Sequence, residues 1–208
     1  NESQGEEKIE YKFAKYKGSY LLNELRKLSD SSKEAVESYV ELEPFKEYLH
    51  VKRSIQQELI NTITAAHKSS RAQLVLLCGN VGDGKSHMLA YLNDHHKELM
   101  RDFHIHNDAT ESFDPSRTEL ETLEEVLAPF EDGNIEGSNE KLILAINLGV
   151  LNNFLEETSK KGTFNELRRF IDNSGIFEQE KINSNTNNDY FRLVSFGDYN
   201  IYELTEKG

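Results

Sequence analysis

The chain has 208 residues, enough for one α/β domain with a small helical extension. Its 37 acidic and 24 basic residues leave a net charge of −13, which opposes sequence-independent binding to a nucleic-acid backbone by this segment alone. A lone cysteine, Cys78, excludes an intrachain disulfide, and the longest apolar runs (74 to 78 and 142 to 146) fall far short of the ~20 residues that span a bilayer, so a reducing, cytoplasmic setting is expected.

Residues 1 to 10 are charged, and Tyr20–Leu25 and Glu34–Val40 read as short amphipathic helices. They define an expected N-terminal helical extension over 1–43. A second domain is expected over 44–208. Pro44 suits the first turn of a helix, and Phe45, Leu49, Leu59 and Ile63 give an apolar stripe that predicts a helix from about 44 to 68.

The apolar run Leu74-Val75-Leu76-Leu77-Cys78 predicts a buried strand, followed by Gly79-Asn80-Val81-Gly82-Asp83-Gly84-Lys85-Ser86, which fits G-x-x-x-x-G-K-[ST] at every fixed position. His87-Met88-Leu89-Ala90-Tyr91-Leu92 then has helical apolar spacing, so the motif has its strand, loop and helix context. With average Gly usage near ~7%, a chance match in such a chain is roughly a 1% event or less. The chemistry explains the residue types. Gly79, Gly82 and Gly84 let the backbone approach an anion, the helix N-terminus favours negative charge, Lys85 reaches the β and γ phosphates, and the Ser86 hydroxyl suits Mg²⁺. The expected nucleotide contacts are Gly79, Asn80, Val81, Gly82, Asp83, Gly84, Lys85, Ser86 and His87. Asp83 reads as a variable loop position rather than a ligand. Cys78, at the end of the strand, reads as a small buried residue.

Phe103-His104-Ile105-His106 alternates toward Asn107-Asp108-Ala109-Thr110, predicting a second strand with polar residues at its carboxyl end, where ligands bind parallel sheets. Leu120, Leu123, Val126 and Leu127 predict a helix closed by Pro129, and the segment from Glu131 to Glu140 a surface connection. Lys141-Leu142-Ile143-Leu144-Ala145-Ile146-Asn147 has the continuous apolar character of a strand covered on both faces. Helices are expected over 150–159 and 163–172, a loop over 180–190, and a hairpin pairing Tyr190–Val194 with Asn200–Leu204 around Gly197-Asp198. The expected fold is therefore an α/β P-loop NTPase, with a mostly parallel sheet flanked by helices. A start at Asn1 and a stop at Gly208 after a strand-like run fit a fragment of a longer protein.

Phosphate-loop NTPases usually place an acid at the end of an apolar strand to hold Mg²⁺ or its water shell. Here that position falls on Asn147, which has no charge. Asp108, Glu111 and Asp114 are the replacements in view, with Asp108 the preferred catalytic candidate beside Lys85, and an Asx turn its structural alternative. Seven histidines invite a metal reading, but His104 and His106 on one strand face and His95 and His96 at a helix end lack zinc-site spacing. Arg168 and Arg169 are candidates for an arginine finger in a homo-oligomer or for a kinase lid, against the plainer reading of surface charge. With no Asn-Lys-x-Asp segment to read guanine, ATP is favoured over GTP.

The stretches Cys78–Leu89, Asn107–Pro115 and Ala145–Phe154 resemble the DptF family of DNA phosphorothioation-dependent restriction proteins, over most of residues 45 to 205. The loop is shared by many NTPases, whereas the Asn-Asp-Ala-Thr and Asn-Leu-Gly segments are more distinctive. The resemblance implies the amino-terminal ATPase part of a longer bacterial antiviral defence protein, using ATP and Mg²⁺. It also implies partner subunits, with DNA contact and nuclease chemistry lying elsewhere. The competing expectations are a module that binds ATP without hydrolysis and a P-loop kinase.

Overall fold

The computed structural model describes residues 50–107, 118–178 and 188–198, all within one compact unit that begins at Ala35. The expected extension over 1–43 therefore lies outside the described residues, as do Asp108, Glu111, Asp114 and the Asn200–Leu204 half of the expected hairpin.

The first helix, α1 (Ser54–His67), buries Ile55, Leu59, Ile63 and Ala66, a stripe with the three-to-four-residue spacing of one helical face. It does not run from Pro44 as the apolar pattern predicts. Residues 50–53 are not helical, and Arg53 is extended, with φ −113° and ψ 155°. His50 and Arg53 are instead committed to contacts with the glycine-rich loop Gly79–Ser86 and the helix that follows it, a tertiary demand that local periodicity does not carry.

After α1 come β1 (Gln73–Cys78), α2 (Lys85–His95), the single turn α3 (Lys97–Met100) and β2 (His104–Asn107). Then follow α4 (Glu119–Leu127) with a 3₁₀ turn through Phe130, β3 (Lys141–Ile146), α5 (Leu148–Ser159), α6 (Asn165–Ser174) and β4 (Phe191–Ser195). The four strands form one sheet in the order β2-β3-β1-β4, and every pairing is parallel. Parallel neighbours need long crossovers, which the helices supply.

The sheet is covered on both faces, as the unbroken apolar strands require. Leu74, Leu76, Leu142 and Leu144 pack with Leu123, Phe154 and Phe170 from α4, α5 and α6. Val75, Leu77, Ile143 and Ala145 pack on the other side with Leu59 of α1 and Met88 and Leu92 of α2. Alternate residues of the same strands thus feed opposite layers, and the α/β, parallel, helix-flanked architecture expected from the sequence is the one observed. Cys78 is fully buried, as expected.

One expected connection differs. Glu131–Glu140 is more than a surface loop, because Ile135 within it is buried in the core. The run Tyr190–Val194 contains a strand, β4, which lies parallel to β1 and leads into a 3₁₀ turn (Phe196–Asp198); the other half of the expected hairpin lies outside the described residues. Phe191 and Leu193 of β4 enter the core beside β1. Among the described residues no helix is long and apolar enough to cross a membrane.

Candidate phosphate-binding site

The loop connects β1, fully buried along its length, to α2, so its two ends are fixed by the core. Its turn demands glycine. Gly82 and Gly84 have φ of +90° and +94°, in the region that side chains disfavour, and Gly84 forms the N-cap of α2. Beyond that cap, the first N–H groups of a helix lack intrahelical acceptors and carry the positive end of its dipole. At Gly79 the limit is space. A Cβ there would stand 2.8 Å from Asp83 Oδ2 and 3.0 Å from Phe196 Cβ.

Lys85 is 8% exposed, and its Nζ donates to the carbonyls of Gly79 at 2.8 Å and Asn80 at 3.0 Å. Carbonyls orient an ammonium but do not neutralise it. A buried cation held this way is matched in sign and reach to an anion lying in the loop.

Asp83 does more than fill a variable position. Its Oδ2 accepts from the Asn80 N–H at 2.6 Å, pinning one side of the loop to the other. From outside, Arg53 Nη2 donates to the Asp83 carbonyl at 2.6 Å while its guanidinium lies 4.8 Å from the Phe196 ring centroid. The loop is therefore braced by the chain before α1 and by the turn after β4.

Ser86 accepts a hydrogen bond from Asn107 Nδ2 at 2.7 Å. Asn107 ends β2 and is 1% exposed, so a buried amide reaches past the end of β3 to fix the hydroxyl. A hydroxyl accepts twice and donates once, so Ser86 retains capacity for a cation or a phosphate oxygen.

Asn147, where an acid was expected, is the N-cap of α5, and its Oδ1 accepts from Gly149 N at 2.7 Å. The cap explains the residue type, since Asn is among the best caps and orders the chain as it leaves β3. Because β3 pairs directly with β1, Asn147 still lies beside the loop.

A cavity of about 400 Å³ joins these parts, lined by Asn80, Val81, Gly82, Gly84, Lys85, Ser86 and His87 of the loop, with Asn107, Glu119, Asn147 and Val150 opposite. All but two of the expected nucleotide contacts line it. The exceptions, Gly79 and Asp83, belong to the loop's internal frame through the Lys85 and Asn80 bonds. Asn107 and Glu119 were not expected as site residues. Asn107 stands at a strand's carboxyl end, a signal that was available, whereas nothing local marks Glu119 as facing the loop.

The remaining candidates do not converge here. Arg169 donates to Glu166 at 2.7 Å, and Arg168 donates to the Leu155 carbonyl at 3.3 Å and stands 3.8 Å from Asp172. No arginine is among the described residues lining the loop cavity. His104 is exposed and paired with Glu140 at 2.6 Å, while His106 is buried. Among the described residues no group of three His, Cys, Asp or Glu side chains stands ready for a metal ion. Mg²⁺ does not require such a cage, because it is usually bound through substrate phosphates, waters and one or two protein oxygens. Ser86 and Glu119, which both line the cavity, carry oxygens of that kind.

No protein-family model, curated protein or solved structure matches this chain.

Proposed function

We propose that this chain is the ATP-binding and ATP-hydrolysing component of a bacterial DNA phosphorothioation-dependent restriction system that acts against phage. The observation that carries nucleotide binding is the buried Lys85 ammonium, set by two loop carbonyls at the edge of a cavity lined by the loop and the α2 N-terminus. Its cationic head and adjoining backbone donors suit the β and γ phosphates, and Ser86 suits the accompanying Mg²⁺. In this reading Lys85 binds and stabilises charge on the phosphates, and the Asn107 bond holds Ser86 in register. Mg²⁺ supplies further charge neutralisation when bound.

The restriction role rests on the resemblance of Asn107–Pro115 and Ala145–Phe154 to the DptF family. Partner subunits in the cytoplasm would then contact DNA, which accords with the net charge of −13.

A second reading is favoured by one specific observation. Both strand ends beside the loop, at Asn107 and Asn147, carry neutral amides. Strand ends that offer no carboxylate suit a module that binds ATP as an assembly switch and does not cleave it. Phosphate release from ATP, measured with partner subunits present and absent, separates the two. Release that disappears in Lys85→Ala supports the ATPase, and saturable ATP binding with no release under either condition replaces it with the switch.

A further inference from the structure

Glu119 is the single carboxylate among the described residues that line the loop cavity. The two residues at the strand ends are amides with stated tasks: Asn147 Oδ1 caps α5, and Asn107 Nδ2 holds Ser86. Glu119 begins α4 but does not make its cap. That work is done by Thr118 and Glu121, whose reciprocal bonds (Glu121 N to Thr118 Oγ1 at 3.3 Å, Thr118 N to Glu121 Oε2 at 2.8 Å) complete a capping box. The box fixes the first turn of α4, and so the place from which Glu119 faces the cavity.

We infer that Glu119 is the acid of this site, supplied from a helix start where an acid at the end of β3 was expected, and that it couples nucleotide binding to Mg²⁺. The inference rests on the nucleotide reading above. Its physical signature has two signs. A carboxylate near a bare triphosphate repels it, but with a divalent cation between them the same carboxylate attracts, through the cation or its bound waters. Glu119 therefore opposes metal-free ATP and favours ATP with Mg²⁺. A residue that merely helps α4 to start would change neither preference.

The test is the affinity of the whole chain for ATP, with excess Mg²⁺ and with EDTA, in the wild type and in Glu119→Gln, which keeps size and hydrogen bonding but loses charge. The expected result is that Mg²⁺ tightens wild-type binding about tenfold or more, that Glu119→Gln loses most of this gain, and that its metal-free affinity is equal to or higher than that of the wild type. Glu119→Asp, which keeps the charge, should restore part of the gain. Thermal melting of each variant without nucleotide checks that α4 is intact. Wild-type binding with a Mg²⁺ gain fully retained in Glu119→Gln overturns the role of Glu119 and leaves the nucleotide reading standing. Binding that Mg²⁺ does not affect in the wild type also overturns it. No ATP binding by the wild type, with or without Mg²⁺, overturns the nucleotide reading and this inference together.

Discussion

Asn107 Nδ2 donates to Ser86 Oγ across 2.7 Å, joining the end of an outer strand to the hydroxyl that closes the glycine-rich loop. The bond crosses the end of β3, which separates β2 from the loop strand. It makes the position of Ser86 depend on the sheet as well as on its own helix. Asn107→Ala should weaken ATP binding severalfold, in line with the ~0.5–1.5 kcal/mol of an ordinary hydrogen bond. Titration with a fluorescent ATP analogue checks this, and an unchanged affinity would show that the bond does not position the hydroxyl for ligand.

The Asp83 carboxylate holds the Asn80 N–H within the loop, close to where phosphate charge would collect. Asp83→Asn keeps an acceptor for that N–H and removes the negative charge. ATP binding should tighten by about twofold to fivefold at low ionic strength, and the gain should shrink as salt screens the interaction. Weaker binding in Asp83→Asn at low salt would contradict this account of the loop.

Asn147 has a conformational task that can be measured without any ligand. Asn147→Ala removes the cap of α5 and should cost about 1 kcal/mol of stability by urea denaturation. Asn147→Asp should keep nearly all of it, since Asp is an equally good cap. A large loss in the Asp variant would mean that a charge is not tolerated beside the loop.

Arg53 contributes at a distance from the ligand. Its guanidinium bonds the Asp83 carbonyl and lies over Phe196, and a lysine cannot reproduce both contacts. Arg53→Lys and Arg53→Ala should both speed amide hydrogen exchange across Gly79–Ser86, with β1 unchanged. Unaltered exchange in the loop would remove Arg53 from the brace.

Legibility in the sequence followed how local each demand was. The runs at Leu74–Cys78 and Leu142–Ile146 announce strands covered on both faces, and the loop motif names its own backbone chemistry. The start of α1 was not legible, because Arg53 is held extended by a partner 30 positions away in the chain. The parallel pairing of β4 with β1 was not legible either, because it joins Leu74 to Phe191, far apart in the chain, and no local pattern carries it. Within the site, Lys85 and Ser86 could be read from spacing alone. Glu119 could not, since its place is set by the Thr118 and Glu121 cap and by the way α4 returns to the sheet.

The central claim is that the loop around Lys85 binds the phosphates of ATP. The most direct measurement is isothermal titration of ATP with Mg²⁺ into the wild-type chain and into Lys85→Ala. The account predicts saturable one-to-one binding by the wild type and a loss of affinity of about tenfold or more in the variant, the scale of a charge-assisted hydrogen bond worth ~1.5–3 kcal/mol. No detectable binding by the wild type, or equal affinity in Lys85→Ala, would contradict it.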